Sequence, residues 1–237
     1  MSSASSSHPL FAPTRWSLVQ RAQDGTDAGR LALGELCEAY WQPVFRVLCR
    51  DGRSEDAARE FTQEFFAFVL AGDRLTGAEP GRGKFRSYLL GALRHFESDR
   101  RERERRQKRG GGVAPESLEL HPETAGPASG WDECQFDREW ALAVLSRALD
   151  AVSSDYAEGG RSTHFERLRP VLAGAELPPH AVLARELGMT EGAIKGAIHR
   201  LRRRFREAVC HEVAQTLPEG ADLEEELRYL VSVWISA

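Results

Sequence analysis

Apolar side chains recur at three- and four-residue intervals over much of the chain, as in Leu36, Tyr40, Val44 and Val47 or Phe61, Phe65, Phe68 and Val69. Residues so spaced share one face of a helix, so the stretch from Arg15 to Arg109 reads as all-helical. Period-two alternation is nowhere sustained and isoleucine occurs only three times, which leaves strands without support. Gly72, Gly77, Pro80, Gly81 and Gly83 break the pattern, after which Phe85, Leu89, Ala92 and Phe96 form the stripe of a new helix. Gly110 to Gly130 is rich in Gly, Pro and Ala without amphipathic order, the composition of a flexible linker. Beyond it Trp140, Val144 and Leu145 start another helix, Ser153 to Gly160 interrupts it, and Phe165, Leu168 and Leu172 resume the pattern.

The expected fold class is therefore all-α, with two helical domains hinged near Gly110 to Gly130. The Ser-rich tail 1–13 lacks an apolar period and is expected to be disordered. Residues 14–109 form the first domain, 110–130 the linker, 131–217 the second domain and 218–237 an amphipathic extension. In the extension Leu223, Leu227, Leu230 and Trp234 make one stripe, while Glu224 to Glu226 stand at the helix N-terminus, where the macrodipole favours acids. Packing on the second domain is its expected role, with the first domain or a regulator as alternatives.

Residues 180–206, HAVLARELGMTEGAIKGAIHRLRRRFR, hold the most specific pattern. Leu183, Ala184 and Leu187 supply a short helix, Gly188 a turn with a positive backbone angle, and Thr190 the N-cap of the next helix. Ala184, the glycine four residues on and Ile194 six beyond it satisfy a helix-turn-helix, in which two helices cross closely at a tight turn. Ile194, Ile198, Leu201 and Phe205 face the core. Lys195, His199, Arg202 and Arg206 line another side, with Gly196, Arg200 and Arg203 adjacent. Such a face suits the major groove, where cations meet phosphates and guanine edges; the other reading is a solvated basic helix.

Charge sharpens this picture. The 237 residues carry a net of only −4, yet 82–109 holds eleven basic against four acidic residues and 195–206 six against none. Removing these +7 and +6 leaves −17 for the remainder, so charge is sorted along the chain, and sorted charge points to a polyanionic partner. With 41% hydrophobic and 29% charged residues the chain is apolar enough to fold. No apolar run reaches the ~20 residues of a membrane span and the start lacks the features of a signal peptide, so a cytoplasmic protein without membrane contact is expected. Cys37, Cys49, Cys134 and Cys210 are widely spaced, without CxxC, and read as small buried or idle residues, not as a zinc site. No phosphate loop, GxSxG, HExxH or DxDxDG pattern is present, so neither an enzyme nor a cofactor is expected.

With these residues in view, the chain from Trp16 to Leu230 resembles an RNA polymerase sigma factor of the extracytoplasmic-function type. Its second domain resembles sigma region four, which binds the minus-35 promoter element. In the first domain, Ala57-Ala58-Arg59-Glu60-Phe61-Thr62-Gln63-Glu64-Phe65-Phe66 is similar to the family's polymerase-gripping segment, and Phe85-Arg86-Ser87-Tyr88-Leu89-Leu90 to the start of the helix that melts and reads the minus-10 element. Trp16-Ser17-Leu18-Val19, Tyr40-Trp41-Gln42-Pro43-Val44-Phe45, Gln107-Lys108-Arg109-Gly110-Gly111-Gly112 and Phe136-Asp137-Arg138-Glu139-Trp140-Ala141 resemble a long subgroup with a C-terminal extension.

The resemblance implies core polymerase, through its beta-prime and beta subunits, and promoter DNA as partners, with an anti-sigma factor or a kinase as regulator. It places Glu60, Thr62, Gln63 and Phe66 against polymerase. Lys84, Arg86, Tyr88, Arg94, His95, Arg100 and Arg101 would meet minus-10 DNA, and Thr190, Lys195, His199, Arg200, Arg202, Arg203 and Arg206 the minus-35 element. Opening DNA costs on the order of 1.4 kcal/mol per base-pair step, which aromatic faces beside cations can partly recover. Phe85, Leu89 and Phe96, however, fall on the apolar stripe and read as core. His95 stands where a base-reading Asn is common, Gly196 and Ala197 replace longer polar side chains, and Ala57 and Arg59 replace acids of the docking face. Phosphorylation of Thr62 would add about −1.5 to −2 charge to that weakened face. The acidic linker residues Glu116, Glu119, Glu123 and Asp132 are expected to thread the polymerase cleft, and the acidic tail to restrain the DNA-binding surface until polymerase engages. A free-standing helix-turn-helix regulator and a protein-binding adaptor are the competing readings.

Overall fold

The computed structural model describes residues 15–22, 26–70, 84–108, 131–217 and 220–235, and every regular element among them is a helix. The expected disordered tail (1–13), the breaker cluster from Gly72 to Gly83 and the linker 110–130 with its acids Glu116, Glu119 and Glu123 lie outside the described residues. The chain divides into two compact units, Met1–Ala141 with Gln215–Ala237, and Leu142–Ala214.

The first unit contains α1 (Arg15–Ala22), α2 (Asp27–Arg50), α3 (Glu55–Leu70), α4 (Phe85–Lys108), the first turns of α5 (Glu133–Glu158) and, from the far end of the chain, α9 (Leu223–Ile235). Thr26 starts α2 by accepting a hydrogen bond from Gly29 N at 3.0 Å. Gly29 is required there, since a Cβ would come within 2.7 Å of the Arg21 carbonyl oxygen. Rings fill the core: Phe96 of α4 meets Phe61 edge-on at 5.2 Å, and Phe65 at 5.8 Å and Phe68 at 4.9 Å in tilted pairs, between centroids. Phe85, Leu89 and Phe96 are buried, as their place on the stripe requires.

Charge pairs close this unit. Arg86 of α4 is 2% exposed. Its Nε donates to Asp137 of α5 at 2.9 Å, its Nη1 lies 2.5 Å from Glu226 of α9, and its guanidinium sits over the Trp140 ring at 4.2 Å. Arg50 of α2 reaches the buried Glu139 at 2.6 Å, and Arg94 donates to the Trp131 carbonyl at 2.6 Å.

The second unit holds the rest of α5, α6 (Ser162–Leu168), a 3-10 turn (Arg169–Ala173), α7 (His180–Leu187) and α8 (Glu191–Ala214). Val152, Tyr156, Phe165, Leu168, Leu183, Ile194, Ile198 and Leu201 form its core. The expected interruption over Ser153 to Gly160 is shorter: α5 continues to Glu158 and the break is Gly159–Gly160.

These boundaries differ from the expected 131–217 and 218–237. Trp131 to Ala141 belong to the first unit, where Trp131 packs edge-on against Phe61 at 6.5 Å and Asp137 and Glu139 hold arginines of α4 and α2. The extension also belongs there, not with the second unit, because Glu226 follows Arg86. Segment 110–130 therefore joins two parts of one unit, and the chain crosses between units at Ala141–Leu142 and Ala214–Gln215. Arg86→Met strands Asp137 and Glu226 and is expected to cost the first unit about 3–5 kcal/mol, read as a lower urea midpoint. Adding Asp137→Asn and Glu226→Gln should restore most of that loss.

Candidate nucleic-acid interface

In the second unit α7 ends at Gly188, whose φ of 63° favours glycine, and Met189 N there donates to the Ala184 carbonyl at 2.8 Å. Thr190 then caps α8, its Oγ1 accepting from Ala193 N at 3.2 Å. Leu183 and Ala184 of α7 are buried with Ile194, Ala197, Ile198 and Leu201 of α8 in one cluster, which brings the two helices together across the turn. Ala197, expected at a DNA-contact position of the helix, is thus a core residue.

Thr190, Lys195, His199, Arg200, Arg202, Arg203 and Arg206 are all exposed. Lys195, His199, Arg202 and Arg206 share one side of α8 by their spacing, and none has an ion-pair partner among the described residues. Arg203 lies 3.5 Å from Glu207, and the Arg200 guanidinium would stand 3.1 Å from a Cβ built on Gly196. Arg204 is the exception in this run, half-buried with its guanidinium 5.7 Å from the Tyr156 ring centre. Lys195 and Arg202 also line an open groove of about 550 Å³ whose other walls include Leu177, Pro178, Pro179 and His180. The arrangement presents Lys195, Arg202 and Arg206 without an ion-pair partner among the described residues, beside a concave surface that Glu176 also lines, and it can hold a polyanion.

The residues expected to meet minus-10 DNA fare differently. Arg86 is buried, a correction to its expected role, because Asp137, Glu226 and Trp140 enclose it. Lys84 is half-buried, 2.9 Å from Glu226 with its ammonium 4.1 Å from the Tyr229 ring centre. Tyr88 stacks near Phe85 at 6.1 Å. Arg94 is committed to the Trp131 carbonyl, Arg100 to Glu64 at 2.5 Å and Glu104 at 3.2 Å, and Arg101 to the buried Glu97 at 2.8 Å. His95 Nδ1 lies 3.4 Å from Asp99. Arg103 and Arg105 are exposed without an acid partner among the described residues.

In the expected polymerase-docking segment, Glu60 and Gln63 are exposed on α3. Thr62 and Phe66 are not available: Thr62 is 0% exposed with its hydroxyl donating to the Ala58 carbonyl at 2.7 Å, and Phe66 is buried against Trp41 at 5.7 Å. Both fall on the core side of α3 with Phe61 and Phe65, which rules them out as contacts of the folded protein.

Asp137, Glu226 and Tyr229 escaped the sequence reading. Tyr229 donates to Asp137 Oδ2, and its phenol is pushed up by burial first and then by the Asp137 bond and charge. Burial opposes the Arg86 charge, and Asp137 and Glu226 more than offset it. On α9 Leu230 is buried and Leu223 and Leu227 are half-buried, as the expected stripe has them, whereas Trp234 is 50% exposed and Glu226 is buried, which the stripe does not anticipate. A hint existed in Phe136-Asp137 and Glu139-Trp140, acids beside large rings, but nothing local pairs them with residue 86.

The four cysteines are free thiols, with Cys134 exposed and the others half-buried. No group of three or more metal-binding side chains occurs among the described residues, and none of their helices is long and apolar enough to cross a membrane. Comparison with protein-family models, curated proteins and solved structures finds no match to this chain. Two outcomes follow from the geometry. Thr62 should resist kinases in the native protein, and Thr62→Glu should lower the melting temperature by burying a charge, while Thr62→Val is tolerated. Tyr229 ionises near pH 10 when unfolded and at higher pH when folded, so its contribution is complete below pH 10 and lost as pH rises beyond it. Tyr229→Phe should flatten that alkaline limb in urea titrations.

Proposed function

We propose that the chain binds duplex DNA through α8, and that it does so as a sigma factor, directing core RNA polymerase to promoters and assisting melting and initiation. The observation that carries the DNA reading is the row Lys195, His199, Arg202 and Arg206, unpaired among the described residues, on the second helix of a tight helix-turn-helix. Arg202 and Arg206, one turn apart, repel each other by some tenths of a kcal/mol, a cost that a phosphate backbone removes on binding. Base contacts fall to the exposed N-terminal half of α8, around Lys195, His199 and Arg200, with Arg202, Arg203 and Arg206 toward the backbone.

The sigma reading rests on two family-like segments in the family's order, one in each unit. Glu60 and Gln63 remain as exposed docking residues for the beta-prime subunit. An anti-sigma factor or a kinase acting elsewhere than Thr62 would be its regulator. Burial of Thr62, Phe66 and Arg86 favours a second reading, a free-standing regulator that binds an operator without polymerase.

Transcription in vitro with purified core polymerase and a genomic promoter library separates the two. Specific initiation that requires this chain supports the sigma factor, and duplex binding without initiation supports the regulator. Lys195→Ala and Arg200→Ala should weaken duplex binding, and replacing a residue that contacts phosphate should reduce the slope of log affinity against log salt by about 1. Unchanged binding in both variants would displace α8 from the interface.

A further inference from the structure

We infer that the groove beside α8 is a binding site for a small aliphatic carboxylate, and that a molecule held there displaces duplex DNA. The site stands on the geometry of the second unit, while the displacement rests on the DNA-binding reading above. The groove has a volume of about 550 Å³, within the range of roughly 300–1,000 Å³ usual for small-molecule pockets. Its apolar wall comes from three places: Val171 of the 3-10 turn, Leu177, Pro178 and Pro179 of the segment before α7, and Ile198 of α8. Val171 and Leu177 pack on the core of the unit, which holds that wall in shape. Among the described residues that line the groove none is phenylalanine, tyrosine or tryptophan, which favours an aliphatic body over a stacking ring such as a nucleobase.

Charge sets the other half of the ligand. On α8 Lys195 stands about one turn before Ile198 and Arg202 about one turn after it, so a cation flanks the apolar wall on either side. Both are exposed, and neither has an ion-pair partner among the described residues. Half-buried His180 offers an N–H in either of its charge states, and α7 begins there with Pro179 as an N-cap that has no side-chain acceptor, so the partial positive charge of a helix start adds to the cations. A carboxylate meets lysine or arginine in charge-assisted hydrogen bonds, and an aliphatic chain laid over Val171, Leu177 and Ile198 leaves water. Glu176, the one acid among the described lining residues, opposes a second negative charge, which favours a monocarboxylate over a phosphate or a diacid. Lys195 and Arg202 also belong to the row that meets DNA, so a carboxylate on either takes a charge that a phosphate needs.

The probe is decanoate below its micelle concentration, with acetate as the head without the chain and decanol as the chain without the charge. Each is added to the full chain without DNA and followed by amide NMR shifts. Decanoate is expected to shift Val171, Leu177 and Ile198 with an affinity at least about tenfold above that of acetate or decanol. Lys195→Ala with Arg202→Ala should lose about tenfold, Glu176→Gln should gain about threefold, and Leu177→Asp should abolish binding. Equal shifts with acetate would mean solvated cations alone, and equal shifts with decanol an apolar patch alone; either overturns the site. So does a groove that ignores decanoate and takes a peptide rich in leucine and aspartate, because it then docks a protein. If Leu177→Asp lacks a native spectrum, the exposed Glu176→Gln decides, and the absence of a gain overturns the site. With a fluorescein-labelled duplex, saturating decanoate should lower the affinity of the unsubstituted chain about tenfold and leave that of Leu177→Asp unchanged. Decanoate bound with duplex affinity unaltered overturns the displacement. A chain that binds decanoate but no duplex fails the DNA-binding reading and still supports the site.

Discussion

A guanidinium taken out of water must be paired, or its desolvation destabilises whatever encloses it. Arg86 meets that requirement with groups from three places in the chain: its own helix α4 brings it in, α5 supplies Asp137 and Trp140, and α9 supplies Glu226 and Tyr229. The pairing joins residues 51 and 140 positions away in sequence. It explains why the first unit includes the start of α5 and the last helix of the chain, and why the second unit, Leu142–Ala214, is an insertion between them.

The same economy of charge recurs around Arg86. Glu139 is buried between Arg50 at 2.6 Å and Arg46 at 3.9 Å, and Glu97 between Arg53 and Arg101. Much of the +7 counted over 82–109 is thereby engaged within the protein, with Arg86, Arg94, Arg100 and Arg101 each holding an acceptor of the chain. The +6 of 195–206 is different, since most of its cations stay exposed and unpaired among the described residues. Two basic runs that look equivalent as counts differ in the charge they leave for a partner, and that difference is why the DNA-binding reading rests on α8.

The helix-turn-helix was legible because its determinants are local. Ala184, Gly188, Thr190 and Ile194 act within ten residues of one another, through a backbone angle, a cap and one close packing contact. Thr62 and Phe66 were misplaced although they too lie on a periodic helix. A polar hydroxyl four residues from a carbonyl it can satisfy is as much at home in a core as on a surface, and Thr62 bonds Ala58 in that way. From its neighbours alone Glu226 is an acid favoured by the helix dipole, and nothing local ties it to a guanidinium far along the chain.

Periodicity, punctuation and capping chemistry determined by themselves that the protein is all-α, where most of its helices run, and that α7 and α8 meet at a tight turn, because each depends on neighbours a few residues apart. Tertiary structure alone decided which charges remain available, which unit receives the first turns of α5 and the last helix, and where the unit boundaries fall. Those outcomes depend on pairing across the chain, where the low dielectric of a packed interior makes an unmatched charge costly and a matched one an anchor.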